Sequence, residues 1–559
     1  MRYLVRVNNM ATTYTLDRSY SLEKVSLELP ERLNNVEGAP NMFTIYENSE
    51  LRNSVKSSND KDLSLFLVVN EVVLFHSIDE ISNSGYITIT DAQNLIQTLP
   101  LFGWERVHIK FSISNAAANT TVKTDATPEE AGSSDATNSP YDIYERYFYV
   151  YAIDNIKEAG DHKIYTIRFT SLATLINIST RLEKRYTGKA EDILDEISNI
   201  EAFKLENLPK YICVNSDDHP MDKSKNAYNT CFPIRYNVES EFEHDVVCPA
   251  WRPFSFIRNI VEKSVSKNGL FTDCFLFQQT DGVYEFTSYQ QMVNNNNSEI
   301  VQFYYLPWTN NSTSVPTTNE KYTIKSYTMT KLFDVQMQCV TGTTGGITKV
   351  LDFATGMQQD FVLYYTPVSS TGDSALTQLT TYESPSSLVK GEKEQLNIAT
   401  AGGKVADVIE LNINSVTDTY KMTKNAASML TAYKQSPFER IRVKITGADE
   451  TSFDKNRRRT GSPESAMFTP DRKDEIQKKY AMNEPANAIM RISEVIFEMN
   501  PCTDLKLGQC ILIDMESTSN TEPMLNGYWY ISNIKYVLTY SDIKVYVTCF
   551  RNNMVITGE

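Results

Sequence analysis

Two stretches near opposite ends of this sequence alternate apolar and polar residues with a period of two. In the first, Tyr86-Ile87-Thr88-Ile89-Thr90, Val107 to Ile113, Arg146 to Tyr151 and Lys163 to Phe169 are runs of this kind. The second lies between Arg491 and Val555 and includes Ile511-Leu512-Ile513 and Val545 to Phe550. Alternation marks strands with one buried face, so both stretches predict antiparallel sheet. The 32 tyrosines and 25 phenylalanines suit pleated, half-buried surfaces. A chain of 559 residues has room for about three to five domains.

Other segments fill in the order. Leu63 to Val69 reads as a buried strand, Asn70-Glu71 as a polar break, and Val72 to Phe75 as its resumption. Residues 115–140 are almost wholly small or polar, too little apolar surface to offset ordering entropy, and read as a mobile loop. Leu172, Leu175, Ile176 and Ile178, with Leu182 a turn on, approach helical spacing. A second helix covers Ala190 to Ile197, opened by Gly188, and a third starts at Pro253, a favoured first helical residue. Asp281-Gly282 between Cys274–Gln279 and Val283–Thr287 is a hairpin signal. Residues 331–490 are irregular and rich in Thr, Ser, Asn and Gly. The expected fold class is α+β, mainly β. Its expected parts are a first β-barrel domain (1–170), a mixed α/β domain (171–330), an irregular extension (331–490) and a second β-barrel domain (491–559).

The two β stretches echo each other. Tyr149 to Lys157 aligns with Gly527 to Lys535, Ile164 to Phe169 with Val545 to Phe550, and Gly103-Trp104-Glu105 with the segment opened by Gly508. An internal duplication of one small antiparallel barrel is therefore expected, and closed barrels remove exposed sheet edges.

Several function classes lack their chemistry. A formal net charge of −16 opposes a grip on phosphates, which needs a basic stripe. The one dense basic run, Lys455-Asn456-Arg457-Arg458-Arg459, reads as a solvated loop. The apolar run Leu63 to Phe75 is too short to span a bilayer, which needs about 20 residues. Met1 to Asn8 has no signal-peptide core, so the chain is expected to be made in a cytoplasm with its eight cysteines reduced. Gly342 to Lys349 has the wrong order for a phosphate loop and reads as a turn. Cys213, His219, Cys231, His244 and Cys248 fall close together, yet only His244-x3-Cys248 has a usual zinc spacing. Buried thiols are the expectation. No catalytic, cofactor or metal residue is assigned, and no enzymatic activity is expected.

Gly85 to Asp91 followed by Leu99-Pro100-Leu101-Phe102-Gly103-Trp104-Glu105 resembles the baseplate hub proteins of contractile-tailed phages. So do Arg181 to Ile197, Pro249-Ala250-Trp251-Arg252-Pro253-Phe254, Leu507-Gly508-Gln509 and Leu525 to Ile531, in the same order. Type VI secretion spike proteins share that N-terminal architecture. The resemblance implies a homotrimer joining a hexameric tail tube to a trimeric central spike, with two similar barrels per chain giving a pseudo-sixfold ring. Implied partners are the spike, the tube or tube initiator, the tape-measure protein and baseplate wedge proteins. Specific nucleic-acid binding and membrane insertion are not expected. The implied place is the virion's tail baseplate, assembled in the host cytoplasm, with a channel lining that is not basic. The ending at Glu559 fits a spike on a separate chain. The alternatives are a receptor-binding or adhesin-like tail protein and a secretion spike-like component. Val107–Ile113 and Ile511–Met515 are the candidate ring contacts.

Overall fold

The computed structural model describes residues 20–28, 42–47, 67–92, 96, 101, 103–114, 141–208, 230–267, 272–289, 291–292, 301–305, 322–331, 334, 336, 346–352, 357–363, 441–446, 487, 491, 493–513, 525, 527–539 and 542–551. The chain opens with β1 (Tyr20–Glu28), β2 (Met42–Glu47), β3 (Leu67–Ser77), β4 (Ser84–Asp91), β5 (Arg106–Ser114), β6 (Tyr141–Ala159) and β7 (His162–Thr170). Helix α1 (Leu172–Ser179), β8 (Arg185–Lys189), α2 (Ala190–Ser198), β9 (Ile234–Tyr236), β10 (Glu243–Val247), α3 (Pro253–Lys263), β11 (Cys274–Gln278) and β12 (Tyr284–Ser288) follow. Then come β13 (Val301–Tyr305), β14 (Thr323–Lys331), β15 (Gly346–Asp352), β16 (Met357–Leu363), β17 (Ile441–Thr446), β18 (Ser493–Met499), β19 (Cys510–Ile513), β20 (Gly527–Leu538) and β21 (Ile543–Arg551).

The fold is mainly β and largely antiparallel. One thirteen-stranded sheet has the order β19-β13-β14-β18-β21-β20-β3-β4-β7-β6-β5-β1-β2. Both ends of the chain belong to it, joined where β20 pairs antiparallel with β3. Strand β19 pairs both β13 and β20, which returns the order on itself through β14, β18 and β21. At the other end β2 is terminal. The two separate closed barrels expected from the sequence are therefore not what the pairing gives. Strands β13 and β14, expected within the α/β segment but for Lys331 at the end of β14, enter this sheet instead.

Five strands at each end run in the same order: β3-β4-β7-β6-β5 and β14-β18-β21-β20-β19. Two pairs of their irregularities coincide. Strand β3 shifts register between Val69 and Glu71, and β14 between Ile324 and Ser326. Strand β6 shifts between Val150 and Ala152, and β20 between Ile531 and Asn533. The Trp104 N–H donates to the Val150 carbonyl (2.8 Å) while the Val150 N–H donates to that of Glu105 (2.9 Å). Likewise the Gly508 N–H donates to Ile531 (2.8 Å) and the Ile531 N–H to Gln509 (3.0 Å). Trp104 and Gly508 share a left-handed φ of 74° and 75°. Val150 thus corresponds to Ile531 and Phe148 to Trp529, three places from the sequence alignment, which matched Ile153 with Ile531. The alignment followed repeated Tyr and Ile, whereas the ladders follow the bulges.

The α/β segment behaves largely as its sequence predicts. Strands β11 and β12 form the hairpin about Asp281-Gly282, with β9 added in parallel. Pro253 occupies the first turn of α3. A second core gathers Leu172, Ile193, Ile197, Phe232, Phe256, Ile260 and Tyr284. Three readings change. Gly188 lies in β8, paired with His244, and Lys189 caps α2 instead. Asn70-Glu71 does not break the strand, because the bulge absorbs it within β3. Gly346 to Lys349 starts β15 and is no turn; β15, β16 and β17 form a three-stranded sheet within the segment read as irregular.

Gly85 is closely packed within the sheet. A Cβ there would stand 2.3 Å from the Val73 carbonyl oxygen and 2.6 Å from the Phe169 ring, both in the core. Gly85→Ala is expected to cost about 2 kcal/mol through overpacking, read as a lower urea midpoint. An unchanged midpoint would contradict this packing.

Candidate assembly surface

The two ends of the chain meet edge to edge at the joint where β20 pairs with β3. Asn533 faces Ser77, Ile534 faces His76, Lys535 faces Phe75, Tyr536 faces Leu74, Val537 faces Val73 and Leu538 faces Val72. Val72, Val73, Leu74, Ile534, Tyr536 and Leu538 are all fully buried. Arg491 clamps one end of the joint. Its guanidinium donates twice to the Asp79 carboxylate (2.7 and 2.8 Å) and once to the Tyr289 hydroxyl (3.2 Å). A two-pronged charge-assisted contact of this kind fixes geometry as well as adding stability.

His76 sits inside this joint with its ring edge-on to Tyr536 (5.8 Å) and Tyr144 (6.3 Å). Burial pushes its pKa down to about 4, and Asn83 opposes only part of that effect. It is therefore a neutral ring at ordinary pH, a packing residue rather than a proton donor.

The strands that correspond to β20 and β3 are β6 and β14, and both carry open edges. From Ala152 to Glu158, β6 pairs with β7 on one side, and among the described residues no strand covers the other. From Thr328 to Lys331, β14 pairs with β18 alone among the described residues. Ile156 is 55% exposed and Tyr151 47% exposed, although Tyr536, which stands alone where β6 has Asn155 and Ile156, is fully buried. Exposed apolar residues on an open edge invite strand addition.

The ring contacts expected at Val107–Ile113 and Ile511–Met515 are corrected. Strand β5 is covered by β1 and β6, and β19, as far as Ile513, by β13 and β20, so neither strand has a free edge; Asp514 and Met515 lie outside the described residues. Val107, Ile109, Phe111, Ile113 and Ile511 are fully buried in the core. Alternation identified them as strands but not their neighbours.

The cysteine and histidine cluster divides. Cys213 and His219 lie outside the described residues, as do the basic run at Lys455–Arg459 and the segment 115–140. Cys231 and Cys248 are buried in the second core, and burial raises the Cys231 thiol pKa. His244 shares a hydrogen bond of 3.2 Å with Ser264, and burial, then Lys263, lowers its pKa to about 4. Among the described residues no three groups of ligating type converge.

A cleft of about 190 Å³ lies between the β9-β11-β12 sheet and the turn at Gly508. Glu285 is the only acid among its lining residues, raised in pKa by burial and held by Gln279 at 2.8 Å. The paired carboxylates of glycoside hydrolysis are not present in that lining. Among the described residues no helix is long and apolar enough to cross a membrane.

No protein-family model matches the chain, and no curated protein sequence matches it. Solved structures that it resembles include phage tail proteins and a type VI secretion component. One is the 43 kDa tail protein of prophage MuSo2 from Shewanella oneidensis: 8% identity, TM-score 0.40, covering 95% of this chain and 98% of that one. The tail protein of Neisseria meningitidis MC58 gives 7% identity and a TM-score of 0.41 over 87% and 93%. A type VI secretion component of E. coli, described as similar to the T4 tail proteins gp27 and gp5, gives 7% and 0.34 over 88% and 76%.

Proposed function

We propose that this chain is a structural hub of a phage tail, working as a homotrimer that adapts a sixfold tube to a threefold spike. The observation that carries this reading is the strand-by-strand correspondence of β3-β4-β7-β6-β5 with β14-β18-β21-β20-β19, with one bulge shared by β3 and β14 and one by β6 and β20. A shared order with shared irregularities is what duplication of one unit would leave behind. Three copies would offer six similar units on one face. Segments that occur once per chain, α1 to α3 with their short sheets among them, would occur three times. Closed cyclic symmetry then fixes the contacts. The motif order from Gly85 to Ile531 supports the same reading.

The role proposed is positional, with the spike, tube, tape-measure and wedge proteins as partners and the virion's tail as the place. The net charge of −16 favours a channel that lets DNA pass without holding it. Native mass spectrometry is expected to give three times the 63.6 kDa of one chain. A monomer or a hexamer would overturn the adaptor reading. Tight retention of duplex DNA at physiological salt would overturn the channel reading.

A further inference from the structure

We infer that the open edge of β6 in one copy pairs antiparallel with the open edge of β14 in a second copy. The register sets Asp154 against Lys331, Asn155 against Thr330, Ile156 against Met329 and Lys157 against Thr328. The closure of these contacts into a ring of three rests on the trimeric reading above; the pairing itself comes from the ladders of a single chain.

Within one chain, the C-terminal unit offers β20 and the N-terminal unit offers β3. Among the described residues the counterparts left without a partner strand are the N-terminal unit's β6 and the C-terminal unit's β14, which form a complementary set. Each copy therefore has one edge of each kind, a head-to-tail contact that closes when the rotation allows.

The correspondence fixes the register. Lys535 faces Tyr546 as Asp154 faces Thr166, and Val537 faces Lys544 as Lys157 faces Ile164. Phe75 faces Ser84 as Lys331 faces Glu494, and Val73 faces Tyr86 as Thr328 faces Ile496. Between Lys535 and Val537 there is one residue, Tyr536, and between Phe75 and Val73 one residue, Leu74. Strand β6 has two there, Asn155 and Ile156, because it bulges between Asp154 and Lys157. Strand β14 also has two, Met329 and Thr330, because it bulges between Met329 and Lys331. Each open edge carries one extra residue that its in-chain counterpart lacks, at the same point of the pairing. The extras match one to one, so the ladder stays in step.

The chemistry agrees. Asp154, which keeps Arg168 of its own sheet at 2.5 Å, meets Lys331. Ile156, 55% exposed, meets Met329, which already packs on the core. Opposite charges and paired apolar side chains are the cross-strand contacts that stabilise a sheet.

The test uses the full chain carrying Ile156→Cys with Met329→Cys. Residues directly opposite in antiparallel strands lie within disulfide reach. Mild oxidation is expected to give a covalent trimer on a non-reducing gel, and neither single variant should do so. Moving the second cysteine to Lys331→Cys should reduce the yield. A particle that is trimeric by mass yet does not cross-link overturns the pairing and leaves the hub reading intact. A monomer overturns both, whereas a ladder beyond three supports the pairing and overturns closure at three. As a second readout, Ile156→Asp is expected to weaken self-association about tenfold. Association unchanged by Ile156→Asp would also overturn the pairing.

Discussion

Replacing Trp529 by alanine is expected to remove about 4 kcal/mol of stability, the largest loss from a single side chain in this fold. Trp529 is fully buried in β20. Its indole N–H donates to the Leu525 carbonyl at 2.8 Å. Phe497 meets the ring edge-on at 6.3 Å, and the Arg551 guanidinium lies 4.1 Å above it. Truncation opens a cavity, strands a buried carbonyl and withdraws the ring's electrons from a buried cation. Burial already lowers the Arg551 pKa to about 9, so loss of the ring leaves that charge worse placed. Urea unfolding followed by circular dichroism measures the loss. Trp529→Phe keeps most of the volume and should cost about half as much. A loss under about 1 kcal/mol for Trp529→Ala would mean the site collapses onto itself.

Acid is expected to weaken the fold through two histidines before most carboxylates titrate. His76 and His244 are both buried and hold folded pKa values of about 4, against the ordinary 6.5. Because the folded values are depressed, the unfolded chain takes up protons first. The stabilising contribution is complete above pH 6.5 and is lost as pH falls towards 4. Each histidine accounts for about 3 kcal/mol across that window. Unfolding free energies at pH 7 and pH 4.5 should therefore differ by several kcal/mol in the wild type. The difference should shrink by about 3 kcal/mol in His244→Asn. An equal pH dependence in both proteins would show that His244 takes up its proton as readily in the fold as in the unfolded chain.

Much of the sheet was legible because its strands alternate. Strand β4 buries Gly85, Ile87, Ile89 and Asp91 in strict turn, and β18 buries Ser493, Val495, Phe497 and Met499 in the same way. Strand β1 escaped notice because a bulge between Leu22 and Lys24 spaces its buried residues Leu22, Val25 and Leu27 unevenly. The repeat was visible but misaligned. In the first unit Gly103 and Trp104 both take a left-handed φ (83° and 74°), and it is Trp104, not the glycine, that holds Gly508's place in the pairing. The open edges had no signature at all. Ile156 belongs to a run that reads like any other strand, and its exposure depends on the absence of a neighbour, which no local pattern encodes. The hairpin at Asp281-Gly282 and the start of α3 at Pro253 were legible because turn and cap chemistry are local.

The joint between β3 and β20 also sets an order of events during synthesis. Its partners lie roughly 450 residues apart, so no loop closure can bring them together until nearly the whole chain exists. Until then Val72, Val73 and Leu74 wait on an edge with no strand beside them. A nascent chain in that state presents an edge on which β20 of another copy can pair. Strand exchange between copies, favoured at high concentration and slow translation, is the characteristic way this architecture would misassemble.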